Sequence, residues 1–297
     1  MIVNLGSLNI DRVFRVPHIV NGGETIASQS FVELAGGKGA NQSVALARAG
    51  ASVTHLGRVG PDGAWLVDKL AREGIDTRWV RTGDTPTGQA IIQVDERGQN
   101  AIVLNAGANR EITTADIDDA LDAAPQDSWL LVQNETSGLD YALSRAHELG
   151  LRVAFNPAPC DRWVLESPWQ EVALLCLNES EASALSGETA PDRMLSAIAR
   201  QAPRAEIILT LGLDGARYHG PRGPLHVAAH RVSTVDTTAA GDTFLGYFLA
   251  SRNQGIEAAD CLELASAAAA LCVSRSGAMD SIPTLAEVLS WRQRTSV

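Results

Sequence analysis

Short, almost wholly apolar runs alternate with helical stretches along most of this 297-residue chain, and few folds accommodate that rhythm. Residues 2–5, 52–57, 129–133, 152–156, 172–178 and 206–212 read as strands. Most lack the apolar–polar alternation of a half-solvated strand, so both of their faces must be covered. Between them, residues 41–49, 64–73, 114–124 and 139–149 carry helical spacing. Strand, helix and strand in repetition predict an α/β fold of three layers, a mainly parallel central sheet lying between two layers of helices. From residue 241 onward the chain reads as mostly helical and rich in alanine.

Two segments, about 12–34 and 87–104, break the rhythm: they alternate apolar with polar residues and contain the turn signals NGGE (21–24) and DERGQ (95–99). They predict antiparallel hairpins with one solvated face, which together make a small β-sheet lid over the main sheet. No long linker or tandem repeat divides the sequence, so a single domain spanning 1–297 is expected.

A net charge of −11 argues against the clustered basic surface that nucleic acid or an anionic membrane requires. A small molecule remains as the ligand, and a polyanionic one must be held by local dipoles. Cys160, Cys176, Cys261 and Cys272 lie far apart with no C-x-x-C pair, which speaks against a zinc site or a disulfide framework. Cys176 and Cys272 sit within apolar runs and read as small buried hydrophobes. No apolar run approaches the roughly 20 residues of a membrane span, and the first residues lack a basic targeting segment. A cytoplasmic protein is expected.

Four stretches invite chemistry. GGKGAN (36–41) is neither a Walker A loop nor a dinucleotide fingerprint, but its glycines let backbone approach a ligand closely. An ordinary strand-to-helix turn is the plain alternative. GSLNID (6–11) follows the first strand, on the side of an α/β sheet where ligands gather. Asn9 and Asp11 there suit sugar hydroxyls, or else an Asx turn. LNESEA (177–182) places Asn178 and Glu181 as a capping box, or as a pair ordering water around Mg²⁺. In VDTTAAGDTF (235–244), the small residues Ala239, Ala240 and Gly241 stand at a helix start. An anion can there reach free N–H groups and the positive end of the dipole. Asp242 beside it is placed to take a proton from a hydroxyl attacking a phosphoryl group. A helix cap would need only the Asp and would leave the preceding small residues unexplained.

These stretches, with NAGAN (105–109), NPAP (156–159), TLGLDGA (210–216) and SRSGAMDSIP (274–283), resemble in order and spacing the ribokinase (PfkB) family of carbohydrate kinases, nearly end to end. The resemblance implies the three-layer α/β/α fold with its β-lid and ATP-dependent phosphorylation of a sugar, first of all D-ribose at its 5-hydroxyl. It implies Asp242 as catalytic base, with Ala239, Ala240 and Gly241 as the anion hole. Asn9, Asp11, Gly37, Lys38, Asn41 and Glu135 fall where the family holds its sugar, and Ala90 and Ile92 where the lid closes over it. Asn178 and Glu181 match the element acting on Mg²⁺ and phosphate; Thr210, Gly212, Gly215 and Gly241 match the nucleotide site. Asp236, Thr238, Cys272, Arg275, Gly277 and Ser281 match positions that hold a monovalent cation, usually K⁺, several through backbone carbonyls alone. Sugar and Mg-ATP are thus the expected ligands, and a homodimer joined through the lids the expected assembly.

The chain departs from the family pattern at Ala239, where glycine is commoner, and at Leu177, where proline is common; neither change removes a catalytic group. Other acceptors remain open on the sequence: deoxyribose, fructose, 2-keto-3-deoxygluconate or a nucleoside. A sugar phosphate also remains open, since Arg12 and Arg15 lie in the lid. A nucleoside would need a stacking surface, and the lid segments offer chiefly Phe14 and Phe31. A reading of a different class, a catalytically silent sugar-binding regulator, should have lost Asp242, Gly241, Asn178 or Glu181, and all are present. No H-R-D or D-F-G element of a protein kinase occurs.

Overall fold

The computed structural model describes residues 1–295; Ser296 and Val297, the end of the expected single domain, lie outside the described residues. Strands β1 (Ile2–Leu5), β2 (Asn9–Arg15) and β3 (Ser30–Gly36) precede helix α1 (Lys38–Arg48). Then follow β4 (Val53–Val59), α2 (Ala64–Arg72), β5 (Asp76–Thr82), β6 (Gly88–Val94), β7 (Asn100–Asn105) and α3 (Thr114–Asp122). The middle of the chain supplies β8 (Trp129–Gln133), α4 (Leu139–Glu148), β9 (Arg152–Asn156), α5 (Arg162–Glu166), β10 (Leu174–Asn178), α6 (Glu179–Ser186) and α7 (Pro191–Gln201). Strands β11 (Glu206–Thr210), β12 (Ala216–Gly220) and β13 (Gly223–Val227) complete the main sheet, and α8 (Ala240–Asn253), α9 (Ala258–Val273) and α10 (Leu285–Thr295) follow.

The nine-stranded sheet has the order β13-β12-β11-β10-β9-β8-β1-β4-β5 and is parallel from β5 to β11. Side chains alternate between two cores. Ile2, Trp129, Leu131, Leu174, Cys176 and Ile208 join α1, α2, α8 and α9 on one face. Val3, Leu130, Val132, Leu175, Leu177 and Ile207 join α3, α4, α6 and α7 on the other. Most positions of such a strand are apolar because each face has its own cover; Asn4 and Gln133 are buried polar exceptions. The expected edges shift by a few residues, and three strands were not expected. β5 and the β12–β13 hairpin sit at sheet edges, where one side is solvated and sequences such as Arg217-Tyr218-His219 mix polar with apolar. The last two pair antiparallel.

The lid is a separate four-stranded sheet in the order β3-β2-β6-β7. It differs from two simple hairpins, because β2 and β6 pair in parallel and stitch the halves together. It also begins at Asn9 and reaches Gly36, beyond the expected bounds. The NGGE stretch does not turn the β2–β3 hairpin. Those strands part at Arg15 and Gln29, and Val16 N–H instead donates to Val94 O at 3.0 Å. Pro17, with no N–H to give, prevents the ladder from continuing, so residues 21–24 form a turn inside a longer excursion. By contrast, the 95–99 turn does close β6 onto β7.

Candidate active site

The sheet reverses its direction of growth at β1, whose neighbours are β4 on one side and β8 on the other. Loops beyond the carboxyl ends of strands part at such a point and leave a crevice. Gly6–Asn9 follow β1, Glu135 follows β8, and Asn156, Asn178 and Thr210 end β9, β10 and β11. One rim therefore gathers most of the expected site.

Asp242 is the third residue of α8 and does not cap it; the cap position is Ala239, in the left-handed region at φ 61°. That conformation explains why glycine is favoured there, and alanine holds it at a cost of about 1 kcal/mol. Thr243 N–H closes the first helical bond to Ala239 O at 2.8 Å. The N–H groups of Gly241 and Asp242 have no partner among the described residues. A Cβ placed on Gly241 would meet no protein atom within 4 Å, so the glycine keeps clear a space that the chain itself does not fill. Asp242 Oδ2 accepts from Asn41 Nδ2 at 3.1 Å and Oδ1 from Gln42 Nε2 at 2.8 Å. Burial raises its pKa, against the pull of Lys38 and the two amide donors; Glu135 adds to the rise.

Two cavities meet here. One, of about 180 Å³, is lined by Lys38, Asn178, Glu181 and Asp242 among others; Thr210, Thr237, Ala240 and Gly241 belong to it and also to the second. The second, of about 700 Å³, runs past Gly212 and Gly215 and is walled by Ala229, Val232, Phe244, Ala269 and Val273. The start of α8 is the partition between a polar chamber and an apolar one.

On the side of β1, Lys38 donates from its backbone N–H to Glu135 Oε2 at 3.1 Å, and its Nζ lies 3.6 Å from Glu135 Oε1. The helix starts at Lys38, three residues before the expected Asn41, because Gly37 takes φ 93° as its cap. A Cβ at Gly37 would also press on Ser7 O at 2.8 Å, so this turn admits only glycine. Asn9 Oδ1 is taken up by Asn109 Nδ2 at 2.8 Å. Asp11 packs against Gly36, where a Cβ would stand 2.0 Å from Oδ2. No donor among the described residues reaches its oxygens. Burial and then the nearby Glu135 raise its pKa to about 7, while Lys38 works the other way.

Asn178 and Glu181 form the capping box in full. Asn178 N–H and Nδ2 donate to Glu181 at 3.0 and 2.9 Å, and Glu181 N–H donates to Asn178 Oδ1 at 2.9 Å. Yet Glu181 also lines the smaller cavity, and burial raises its pKa. The cap and the cavity wall are the same pair of side chains. Asp236, Thr238, Cys272, Gly277 and Ser281 come together beside the start of α8. Asp236 accepts from Thr238 N–H (2.9 Å) and Oγ1 (2.7 Å) and from Gly277 N–H (3.1 Å), and Cys272 Sγ lies 3.1 Å from Ser281 Oγ. Arg275 turns its guanidinium away to Glu287 at 2.7 Å, so only its backbone belongs here. Among the described residues, no three His, Cys, Asp or Glu side chains are grouped to hold a metal.

Sequence reasoning passed over Gln42, Gln133, Asn156 and His230. Gln42 stands next to Asn41 in a stretch already singled out, but a glutamine early in a helix carries no signal of its own. His230 lines the larger cavity beside Trp291, their ring centroids 5.0 Å apart.

Comparison with known proteins agrees with this geometry. Residues 1–285 match the family described as pfkB family carbohydrate kinase. The chain belongs to that family and is a phosphate-transferring carbohydrate kinase. Within it, the chain is 38% identical to a ribokinase of Schizosaccharomyces pombe and 34% identical to one of Haemophilus influenzae, each match covering 97% of this chain and 96% of the relative. Among solved structures, ribokinase from Cryptococcus neoformans in complex with ADP has a TM-score of 0.83 at 34% identity, covering 98% of this chain and 99% of that one. Arabidopsis thaliana ribokinase complexed with ribose and ATP gives 0.83 at 28%, covering 97% of each chain.

Proposed function

We propose that the chain, as one kinase domain with its lid, transfers the γ-phosphoryl group of ATP to the 5-hydroxyl of D-ribose. One observation carries this reading: Asp242 stands on the partition between two cavities, beside N–H groups that nothing among the described residues satisfies. The larger, apolar chamber next to Gly212 and Gly215 suits a nucleotide. Asp11, whose oxygens are unpaired among the described residues, suits sugar hydroxyls, as do Asn9, Lys38, Asn41 and Glu135; Asn41 Oδ1 is likewise buried with no partner among them. Asp242 takes the hydroxyl proton as the oxygen attacks phosphorus. Ala240, Gly241 and the helix dipole hold the charge on the transferring oxygens. The identities to ribokinases across 97% of the chain favour ribose over other acceptors.

Asn178 and Glu181 offer oxygen donors in one small cavity, the chemistry Mg²⁺ takes, largely through its own waters. Bound Mg²⁺ would supply charge neutralisation for the phosphates, and Asn178 and Glu181 would orient its hydration. A monovalent cation, K⁺, is read at the loops holding Asp236, Thr238, Cys272, Arg275, Gly277 and Ser281, where its charge would steady the adjoining anion hole. The lid leaves Phe31, Val32, Ile102, Val103 and Leu104 exposed, a surface that a second copy's lid would cover in a homodimer. No helix of the described residues is long and apolar enough to cross a membrane.

The test is ADP formation by purified protein with ribose, deoxyribose, fructose, 2-keto-3-deoxygluconate and adenosine, with Mg²⁺ and with or without K⁺. Ribose 5-phosphate as the favoured product, formed faster with K⁺, is expected. Preference for another acceptor would end the ribose assignment. Silence with every acceptor, while ribose still raises the melting temperature, would show a sugar-binding protein without turnover.

A further inference from the structure

Behind Asp242 runs a chain of fully buried polar side chains that neither ligand cavity accounts for: Gln42, Gln133, Asn4, Ser43 and His55. Gln133, Asn4, Ser43 and His55 line neither cavity, so they cannot be explained as ligand contacts. Most buried amides and imidazoles have their hydrogen bonds met; here Gln133 Oε1 has no partner among the described residues, and the other connections are specific in direction.

The direction is pinned by backbone carbonyls, which can only accept. Asn4 meets Gly39 O at 2.8 Å, so that atom of its amide is the nitrogen; its other N–H goes to Ser43 Oγ at 2.8 Å. His55 donates from Nε2 to Gly6 O at 3.2 Å, which leaves Nδ1 to accept from Ser43 Oγ at 2.8 Å. Asn4 Oδ1 is therefore the acceptor for Gln133 Nε2 at 2.9 Å, and the second N–H of Gln133 reaches Gln42 Oε1 at 2.7 Å. From the other end, Asn156 Nδ2 donates to Cys176 O at 3.0 Å, so its Oδ1 accepts from Gln42 Nε2 at 3.0 Å. Both ends agree: Gln42 has its oxygen turned inward and its NH₂ outward, onto Asp242 Oδ1.

We infer that Gln42 is a positioning residue for the base, its amide held in the donating orientation by this buried network, so that the Asp242 carboxylate is held aimed at the acceptor hydroxyl. A glutamine side chain has two orientations of nearly equal shape, and the other would set Oε1 against the carboxylate. The network removes that choice. Asn41 donates to the second oxygen, so the pair of amides fixes the carboxylate plane. Burial keeps His55 neutral by lowering its pKa to about 4, so the sense of the chain is constant over the range in which a kinase works. The inference rests on the kinase reading above.

Gln42→Met keeps the volume and removes the donor. Loss of aim at the reacting oxygen lowers kcat by roughly 10- to 100-fold, with KM for sugar and ATP within about threefold. Without the donor the carboxylate is less favoured, so the acid limb of the kcat–pH profile moves to higher pH. The charged and titratable groups facing Asp242 are Lys38, Glu135, Glu181, Cys176 and Cys272, and all stay in place. Gln133→Met, which unpins Gln42 and takes the donor from Asn4 Oδ1, leaves the Gln42 donor in place and gives smaller changes in the same directions. An unchanged kcat and acid limb in a folded Gln42→Met protein would overturn the inference. A second readout needs neither turnover nor that variant: in ¹⁵N-glutamine-labelled wild-type protein, the Gln42 side-chain amide resonance tracks the ionisation of Asp242 and stops doing so in Asp242→Asn. If it is indifferent to that substitution, the inference fails even in a competent kinase. If the wild type turns over no acceptor, the kinase reading fails, and this resonance still decides whether Gln42 holds Asp242.

Discussion

Asp11 puts the link between sugar recognition and stability to a quantitative test. Its carboxyl is half-buried, receives no hydrogen bond from the described residues, and has a pKa raised to about 7 from an ordinary 3.8, first by burial and then by Glu135. A raised carboxyl pKa means that the folded chain binds this proton more tightly than the unfolded chain does. The stability it confers is complete below about pH 3.8 and is lost as pH rises to about 7, above which the cost is constant. A rise of that size corresponds to a ceiling of about 4 kcal/mol, and partial solvent access reduces it to about 2 kcal/mol. Asp11→Asn has the same shape and does not titrate. It therefore raises the melting temperature at pH 8 by about 4 °C in the absence of sugar, and changes it little at pH 4. The same variant loses the charged acceptor for sugar hydroxyls, each such bond contributing about 1.5–3 kcal/mol, so KM for ribose rises at least tenfold. Thermal melts of both proteins between pH 4 and 8 supply the assay. A melting difference independent of pH, or a variant less stable than wild type at pH 8, would refute the reasoning.

Two further outcomes follow from the start of α8. Gly241→Ala leaves the melting temperature within about 1 °C, because its Cβ meets no protein atom, yet lowers kcat by roughly 10- to 1000-fold by intruding on the transferring phosphoryl group. Initial rates and a melt on the same sample check both halves. Ala239→Gly relieves the left-handed backbone and stabilises the chain by up to about 1 kcal/mol, read from denaturant midpoints, with activity preserved.

How far the sequence alone could carry this account depended on the kind of signal. Doubly covered strands such as Leu174–Asn178 announce themselves, because burial on both faces forces an unbroken apolar run. β5 and β13 did not, since an edge strand satisfies its neighbours with mixed residues such as Arg78 and His226. The lid segments were visible by alternation, but the parallel pairing of β2 with β6 joins residues nearly eighty apart and leaves no local trace. Asp242 and Gly241 stood out because small residues before an acid at a helix start need a reason. Asn178 and Glu181 were ambiguous between cap and ligand, and the structure shows a cap that forms a cavity wall. Gln42, Gln133 and His55 were invisible, because their meaning lies in who donates to whom across the core.

The most direct measurement is the turnover of Asp242→Asn beside wild type, with ribose and Mg-ATP at saturation and sugar affinity determined calorimetrically on both. With Asp242 as the base, kcat falls by roughly 100- to 10,000-fold while ribose and ATP still bind within a few-fold of wild type. Turnover within tenfold of wild type would contradict it, and would move the base away from the partition between the two cavities.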